Sequence, residues 1–481
     1  MVSRLMILAF ISLFASIITP ADAQQNSITF TSSNPDLQTA FSRAKEMALH
    51  YKGKPEDPVG PWYESALPPR YAFCMRDVAH QAIPAEALGL TDANKNMFTL
   101  FAKNISESKD WCSYWEINRY GKPAPEDYRN DTAFWYNLNA NFDIMNACWK
   151  LYLWTGDKDY ISHPTFKYFH DKSASDYINR WVLQPDSLLT RPAHPNAGAA
   201  YNDEDAFHRA RGLPSYSEGV PNMKMGIDLV AAIYRGLLSY AAILKENGKT
   251  AESKKIEQEA ALYQTHIDKH WWDEKENLYN TFYSNKGAFG KNEGETFLFW
   301  FSALSDSARK RHTIEHLLNN TWNVENMSYF PYIFYQNGYW DEAAKYMLLL
   351  TDPKTERREY PEVSYGVILG FVNGLMGIQP DARYNRVETI YKANNNESCF
   401  IENVPLLGTN ISVKHQPGSS EFTNNGERKV IWRAQFYGSH NNLVANGRTQ
   451  KAVVGKDASG KMVSYTDVSV DPQKKVVVSV K

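Results

Sequence analysis

Four stretches of the 481-residue sequence bring together side chains able to do chemistry. The first runs from Trp62-Tyr63-Glu64 to Arg76-Asp77. A guanidinium donates hydrogen bonds in a fork while a neighbouring carboxylate accepts them, which suits paired hydroxyl groups. The plainer reading is an ion pair at a helix start. The second stretch carries Trp111, Tyr114 and Trp115-Glu116. There Trp115 is a candidate stacking platform, and Glu116 is a catalytic or substrate-binding carboxylate or part of aromatic packing under a loop. The third holds Asp203-Glu204-Asp205, then Tyr216-Ser217-Glu218-Gly219 ahead of an apolar helix. A carboxyl group half-shielded by Tyr216 and Pro221 has its pKa raised, as a general acid requires. Asp203 is a rival substrate-binding carboxylate, although so dense a charge reads more simply as a solvated turn or cation site. The fourth ends in Glu359-Tyr360-Pro361-Glu362 at a helix start. The positive end of the helix macrodipole favours an ionised carboxylate there, making Glu362 a candidate general base and Glu359 its alternative. A first-turn glutamate also serves as a plain cap.

Other chemistries lack their residues. There is no Gly-x-Ser-x-Gly elbow, P-loop or dinucleotide-binding glycine motif. His312 and His316 have metal-like spacing but follow Arg309-Lys310-Arg311 on a polar helix, and they read as surface residues. Cys74, Cys112, Cys148 and Cys399 are far apart without a CxxC pair, so buried free thiols are expected rather than zinc ligands. No metal and no cofactor is expected.

Charge is nearly balanced, with 52 Lys+Arg against 54 Asp+Glu, which leaves no electrostatic footprint for nucleic acid. At 43% hydrophobic the chain can bury a large core. Aromatic residues make up 14%, a surplus that suits sugar rings, whose apolar C–H faces stack on aromatic side chains.

The elements that must position these residues fall into two regimes. From about Asp36 to Met376 the apolar spacing is helical, most clearly at Ile227, Val230, Tyr234, Leu237, Leu238, Ala241 and Leu244. The spacing predicts twelve helices: 36–50, 78–88, 94–104, 133–155, 173–183, 225–247, 251–271, 294–304, 306–318, 327–337, 339–350 and 361–375. Tight joins such as 247/251 alternate with long loops at 51–77, 105–132, 184–224, 272–293 and 351–360. Six hairpins predict a mainly α fold, an (α/α)6 toroid, with the long loops gathered on one face. Past Pro380, short alternating runs separated by Asn-Gly, Pro-Gly and Ser-Gly turns predict a small antiparallel β domain, β-sandwich-like. The expected division is 1–23, 24–385 and 386–481.

Residues 1–23 have a basic start, an apolar run from Leu5 to Ile18 and an Ala21-Asp22-Ala23 cleavage site. They read as a secretory signal peptide, the run being shorter than the ~20 residues a membrane span needs. The expected product is secreted or periplasmic, without membrane insertion.

The aromatic stretch ending in Arg76-Asp77, the Trp115-Glu116 step and the closing stretch Gly374-Leu375-Met376-Gly377 resemble the six-hairpin glycosidases, of glucoamylase and rhamnosidase type. The resemblance covers most of 40–385 as motifs in order. It implies that Arg76 and Asp77 grip the sugar of the −1 subsite. It also implies a general acid between the fifth and sixth helices, matching Glu218, and a general base at the eleven-to-twelve junction, matching Glu362. The Trp-Glu step comes one hairpin earlier than in glucoamylases. The expected activity is glycoside hydrolysis, exo-acting and inverting, on a carbohydrate substrate by a monomer or small homo-oligomer. The rivals are a polysaccharide lyase using Tyr201, His208 and Arg209, and a carbohydrate-binding protein without turnover.

Overall fold

The computed structural model describes residues 27–394 and 396–481. The expected signal peptide therefore lies outside the described residues. Among these, beside three α-helices of three or four residues, twelve of six residues or more carry the helical region: α1 (Pro35–His50), α2 (Met75–Ala87), α3 (Thr91–Lys103), α4 (Ala140–Thr155), α5 (Pro164–Lys172), α6 (Ile227–Glu246), α7 (Thr250–His270), α8 (Glu295–Trp300), α9 (Ser307–Asn319), α10 (Val324–Asn337), α11 (Trp340–Thr351) and α12 (Pro361–Leu369). Their ends follow local chemistry. Asn34 caps α1 by accepting from Asp36 N at 3.0 Å, with Pro35 at the first helical position. Asp306 caps α9, Asn323 caps α10, and Gly156 and Gly338 close α4 and α10 in the left-handed conformation.

The even-numbered helices pack in a cycle: α2 on α4, α4 on α6, α6 on α8, α8 on α10, α10 on α12, and α12 back on α2. The odd-numbered helices lie outside them, α3 on α2, α7 on α6, α9 on α8, α11 on α10 and α1 on α12. This explains the composition of α6. Ile227–Glu246 is long and apolar enough to cross a membrane, yet it is buried on nearly every side by α4, α7 and α8. Two close approaches need glycine. A Cβ on Gly236 would stand 2.7 Å from the Phe142 Cβ, and one on Gly366 would stand 2.1 Å from the Ser328 carbonyl oxygen.

Two helix expectations are corrected. The range 133–155 begins with two short strands, Ala133–Phe134 and Tyr136–Asn137, and the helix starts at Ala140. The range 173–183 holds a π turn, Ser173–Tyr177, whereas the helix proper starts at Pro164 behind the cap His163. Aromatic-rich segments satisfy strand and helix spacing alike, so periodicity alone could not separate them.

The β region contains two sheets. The seven-stranded sheet runs Thr29–Ser32, Cys399–Leu406, Thr409–Gln416, Ser419–Asn424, Lys474–Val480, Asn442–Ala445, Arg448–Lys451. The five-stranded sheet runs Gln379–Asp381, Arg386–Ile390, Val430–Tyr437, Met462–Val470, Val453–Lys456. All pairings are antiparallel except Arg386–Ile390 with Val430–Tyr437, which is parallel and departs from the all-antiparallel expectation. Phe422 and Trp432 stack between the sheets with centroids 5.3 Å apart. Strands on the N-terminal side of residue 386 join both sheets, and one hydrophobic core runs from Phe41 and Phe371 in the helices to Ile401 and Trp432 in the strands. The four cysteines are buried and unpaired.

Candidate active site

A cavity of about 550 Å³ opens at the N-terminal ends of the even-numbered helices. All five long loops reach it. The first supplies Arg70, Arg76 and Asp77, the second Trp115, Glu116, Asp127 and Trp135, the third Tyr216 and Glu218, the fourth Asn292 and Glu293, and the last Arg357 and Glu362. Each even-numbered helix carries an acidic residue in its first turn: Asp77, Asp143, Asp228, Glu295, Glu325 and Glu362. Helix N-termini favour negative charge, and here they converge.

The first two loops are joined by a short antiparallel ladder in which Cys74 pairs with Glu116 and Met75 N donates to Trp115 O at 2.9 Å. The pairing brings Trp115 and Glu116 beside Arg76. The Arg76 guanidinium lies between two rings, 5.9 Å from the Trp115 centroid and 5.1 Å from that of Tyr216, and its Nε is 3.2 Å from Asp77 Oδ1. Trp115 is 8% exposed and edge-on to Tyr136, so it supports Arg76 rather than offering an open stacking platform. Glu116 and Asp127 share one nitrogen of Arg70, at 2.8 and 2.9 Å. Burial, then the neighbouring Asp127, pushes the Glu116 carboxyl well above the usual carboxylate range.

The third loop is held from beneath. Asp228 accepts from Tyr216 N at 2.7 Å, Ser215 Oγ at 2.9 Å and Asn139 Nδ2 at 3.1 Å. Ser217 Oγ donates to Glu293 O at 2.9 Å, and Asn137 Nδ2 donates to Glu218 Oε1 at 2.9 Å. Burial raises the Glu218 pKa, opposed by the Arg76 charge and the Asn137 hydrogen bond. The Tyr216 hydroxyl donates to Asp143, which also meets His80 Nε2 at 3.1 Å, and His80 Nδ1 meets the Tyr329 hydroxyl at 2.7 Å. This chain of contacts floors the cavity and links α2, α4 and α10.

Glu362 lies in the first turn of α12, but the helix dipole does not decide its charge. Burial comes first and the Asp77 charge second, and together they push its pKa up to about 8. Burial and Asp77 thus oppose the ionised carboxylate expected from the helix position alone. Two candidates fall elsewhere. Asp203 is exposed, its carbonyl accepting from Arg209 at 2.6 Å, and Glu359 is exposed near Tyr51; neither lines the cavity. Tyr201 and His208 stack 5.9 Å apart and line a different depression beside Asp110. His312 and His316 lie on α9, and among the described residues no group of His, Cys, Asp and Glu is arranged to hold a metal.

Sequence reasoning missed Arg70, Asp127, Glu293, Glu325 and Arg357. Glu325 had a signal: it stands at the second position of α10, as Glu362 does in α12. Arg357 Nη2 ties to Glu325 Oε1 at 2.8 Å across the mouth.

No family model matches the sequence, and no curated protein matches it. Solved structures do match in fold. An α-L-rhamnosidase from Dictyoglumus thermophilum is 12% identical with a TM-score of 0.61, over 95% of this chain and 50% of that one. A GH78-family rhamnosidase of Bacillus sp. GL1 is 13% identical with a TM-score of 0.58, over 82% of this chain and 40% of that one. A protein assigned as a kojibiose phosphorylase, from the human microbiome, is 10% identical with a TM-score of 0.53, over 94% of this chain and 69% of that one. The chain thus spans half or less of the length of the two rhamnosidases. The chain is similar in fold to these solved structures.

Proposed function

We propose that this chain is an exported, exo-acting glycoside hydrolase built on an (α/α)6 toroid, inverting configuration through Glu218 and Glu362. The observation that carries the reading is the convergence of all five loops on one cavity, where Arg76-Asp77 accompanies Glu218, exposed at the mouth, and half-buried Glu362, both with raised pKa values. The closed cycle of even-numbered helices supports the toroid. The rhamnosidase likeness makes α-L-rhamnosides the first substrates to try. Export rests on the N-terminal sequence alone.

In this mechanism Arg76 and Asp77 bind sugar hydroxyls. Glu218, whose pKa is raised by desolvation, delivers a proton to the leaving oxygen. Glu362 takes a proton from the attacking water. Asp77 is what most raises Glu362 after burial, so sugar hydroxyls donating to Asp77 disperse part of that charge and lower the Glu362 pKa. A second reading exchanges the two roles, favoured by the upward shift of Glu362 to about 8. The lyase alternative loses support because Tyr201 and His208 lie outside the cavity.

The test is incubation with a panel of aryl and natural glycosides, followed by proton NMR of the first anomer released. The expected result is a free sugar of inverted configuration. An unsaturated product absorbing in the ultraviolet, retained configuration, or binding without turnover would each overturn the proposal.

A further inference from the structure

Five of these helices, α2, α4, α8, α10 and α12, line a second cavity beneath the first. It measures about 210 Å³ and is walled by Ile83, Leu153, Trp154, Trp300, Tyr332 and Leu369. His80, which floors the candidate active site through Asp143, also lines this lower space, so a hydrogen-bonded layer divides the two. Lys150 stands two turns below Asp143 on α4, about 10 Å along the helix. The lower cavity reaches the surface past exposed Gln379 and half-exposed Pro380.

Lys150 brings a formal charge into these apolar walls. Its ammonium lies 4.9 Å from the centroid of the Trp300 ring. Among the described residues, the carboxylate that draws on its charge is Asp143, and Asp143 is already engaged by Tyr216 and His80. Arg235 adds a second positive charge nearby, its own donors directed to the carbonyls of Phe301 and Ser302. Burial and Arg235 lower the Lys150 pKa to about 8, the mark of a cation short of a counter-charge. Lys150 is half-buried, and no carboxylate forms an ion pair with it among the described residues, so an anion that supplies the partner while covering apolar wall is favoured over water there.

We propose that this lower cavity is a binding site for a small organic monocarboxylate with an apolar body, its carboxylate on Lys150 and its body against Trp300, Tyr332 and Leu369. The size is suitable, since an apolar cavity of about 150 Å³ already admits benzene. A dianion or phosphate is disfavoured by the apolar walls, and a neutral hydrocarbon leaves Lys150 unpaired. The site is independent of the hydrolase reading and stands or falls without it.

Benzoate is the probe, with benzyl alcohol as its neutral counterpart, both titrated calorimetrically into the purified chain. Benzoate should bind saturably, and benzyl alcohol about tenfold or more weakly, because a charge-assisted contact is absent. Lys150→Met should weaken benzoate by about tenfold or more while leaving the benzyl alcohol affinity within about twofold, and its melting curve reports that it is folded. The comparison of the two ligands on the unaltered chain needs no variant. Absence of saturable benzoate binding, equal affinity for both ligands, or unchanged benzoate affinity in Lys150→Met would each overturn the proposal.

Discussion

Asn137 Nδ2 donates to Glu218 Oε1 at 2.9 Å, joining the loop before α4 to the loop before α6 at a candidate catalytic carboxyl. Together with the larger effect of the Arg76 charge, this hydrogen bond holds the Glu218 pKa down against desolvation. Asn137→Leu should therefore raise that pKa and move the alkaline limb of kcat/KM to higher pH, with kcat reduced about tenfold by misplacement. An unmoved alkaline limb in the pH profile would remove Glu218 from the acid role.

Glu218→Gln and Glu362→Gln should each lower kcat by at least about 10²-fold with little loss of stability, since shape is kept and proton transfer is not. A substrate with a good leaving group needs little protonation. Aryl glycosides should accordingly rescue the variant of the acid alone, so rescue of Glu362→Gln instead would exchange the roles.

Asp77→Asn removes the charge that, after burial, most raises Glu362. The Glu362 pKa then falls. With Glu362 as base, the acid limb of kcat/KM moves to lower pH; with Glu362 as acid, the alkaline limb moves down instead. The absolute rate should also drop by about 10²-fold through loss of the hydroxyl acceptor. The pH profile decides between the assignments by the limb that moves.

Trp115→Ala should cost about 3 kcal/mol of stability by emptying a buried site, and should impair both kcat and KM by releasing Arg76. Urea unfolding and steady-state kinetics measure the two effects. A pure KM effect at unchanged stability would restore the open stacking platform that the sequence suggested.

Glu295 is buried with one carboxyl oxygen unpartnered, and burial pushes its pKa up to about 8. In the unfolded chain it ionises near the ordinary glutamate value of about 4.3. Its folded-state pKa is the higher one, so stability is fully present below the unfolded value and is lost as pH rises through about 8. Glu295→Gln should flatten that decline, by on the order of 3 kcal/mol between acid and alkaline conditions. Parallel urea denaturation of both proteins at pH 5 and pH 9 measures the difference.

Much of this was determined by local sequence. Apolar spacing located most of the helices, because the 3.6-residue period is written into each segment independently. Cap residues such as Asn34 and Asp306 marked helix starts through hydrogen bonds that span only two or three residues. Arg76, Asp77, Glu116, Tyr216, Glu218 and Glu362 were legible for the same reason: each sits at or beside a loop-to-helix junction, and junctions of one kind gather on one face. The alternation of tight and long joins was enough to expect five loops around one site.

Tertiary structure decided which residues of those loops face inward. Asp203 and Glu359 belong to the right loops and point away, whereas Arg70, Asp127, Glu293 and Arg357 enter the cavity. That selection depends on contacts between distant segments, such as the pairing of Cys74 with Glu116 and the support of Tyr216 by Asp228 and Asp143. Protonation was decided in the same way. A local rule, the helix dipole, favours an ionised Glu362, but desolvation is imposed by the whole ring and Asp77 arrives from a helix nearly three hundred residues earlier. Desolvation of Glu362 comes from several segments at once, and no segment of sequence contains that information by itself.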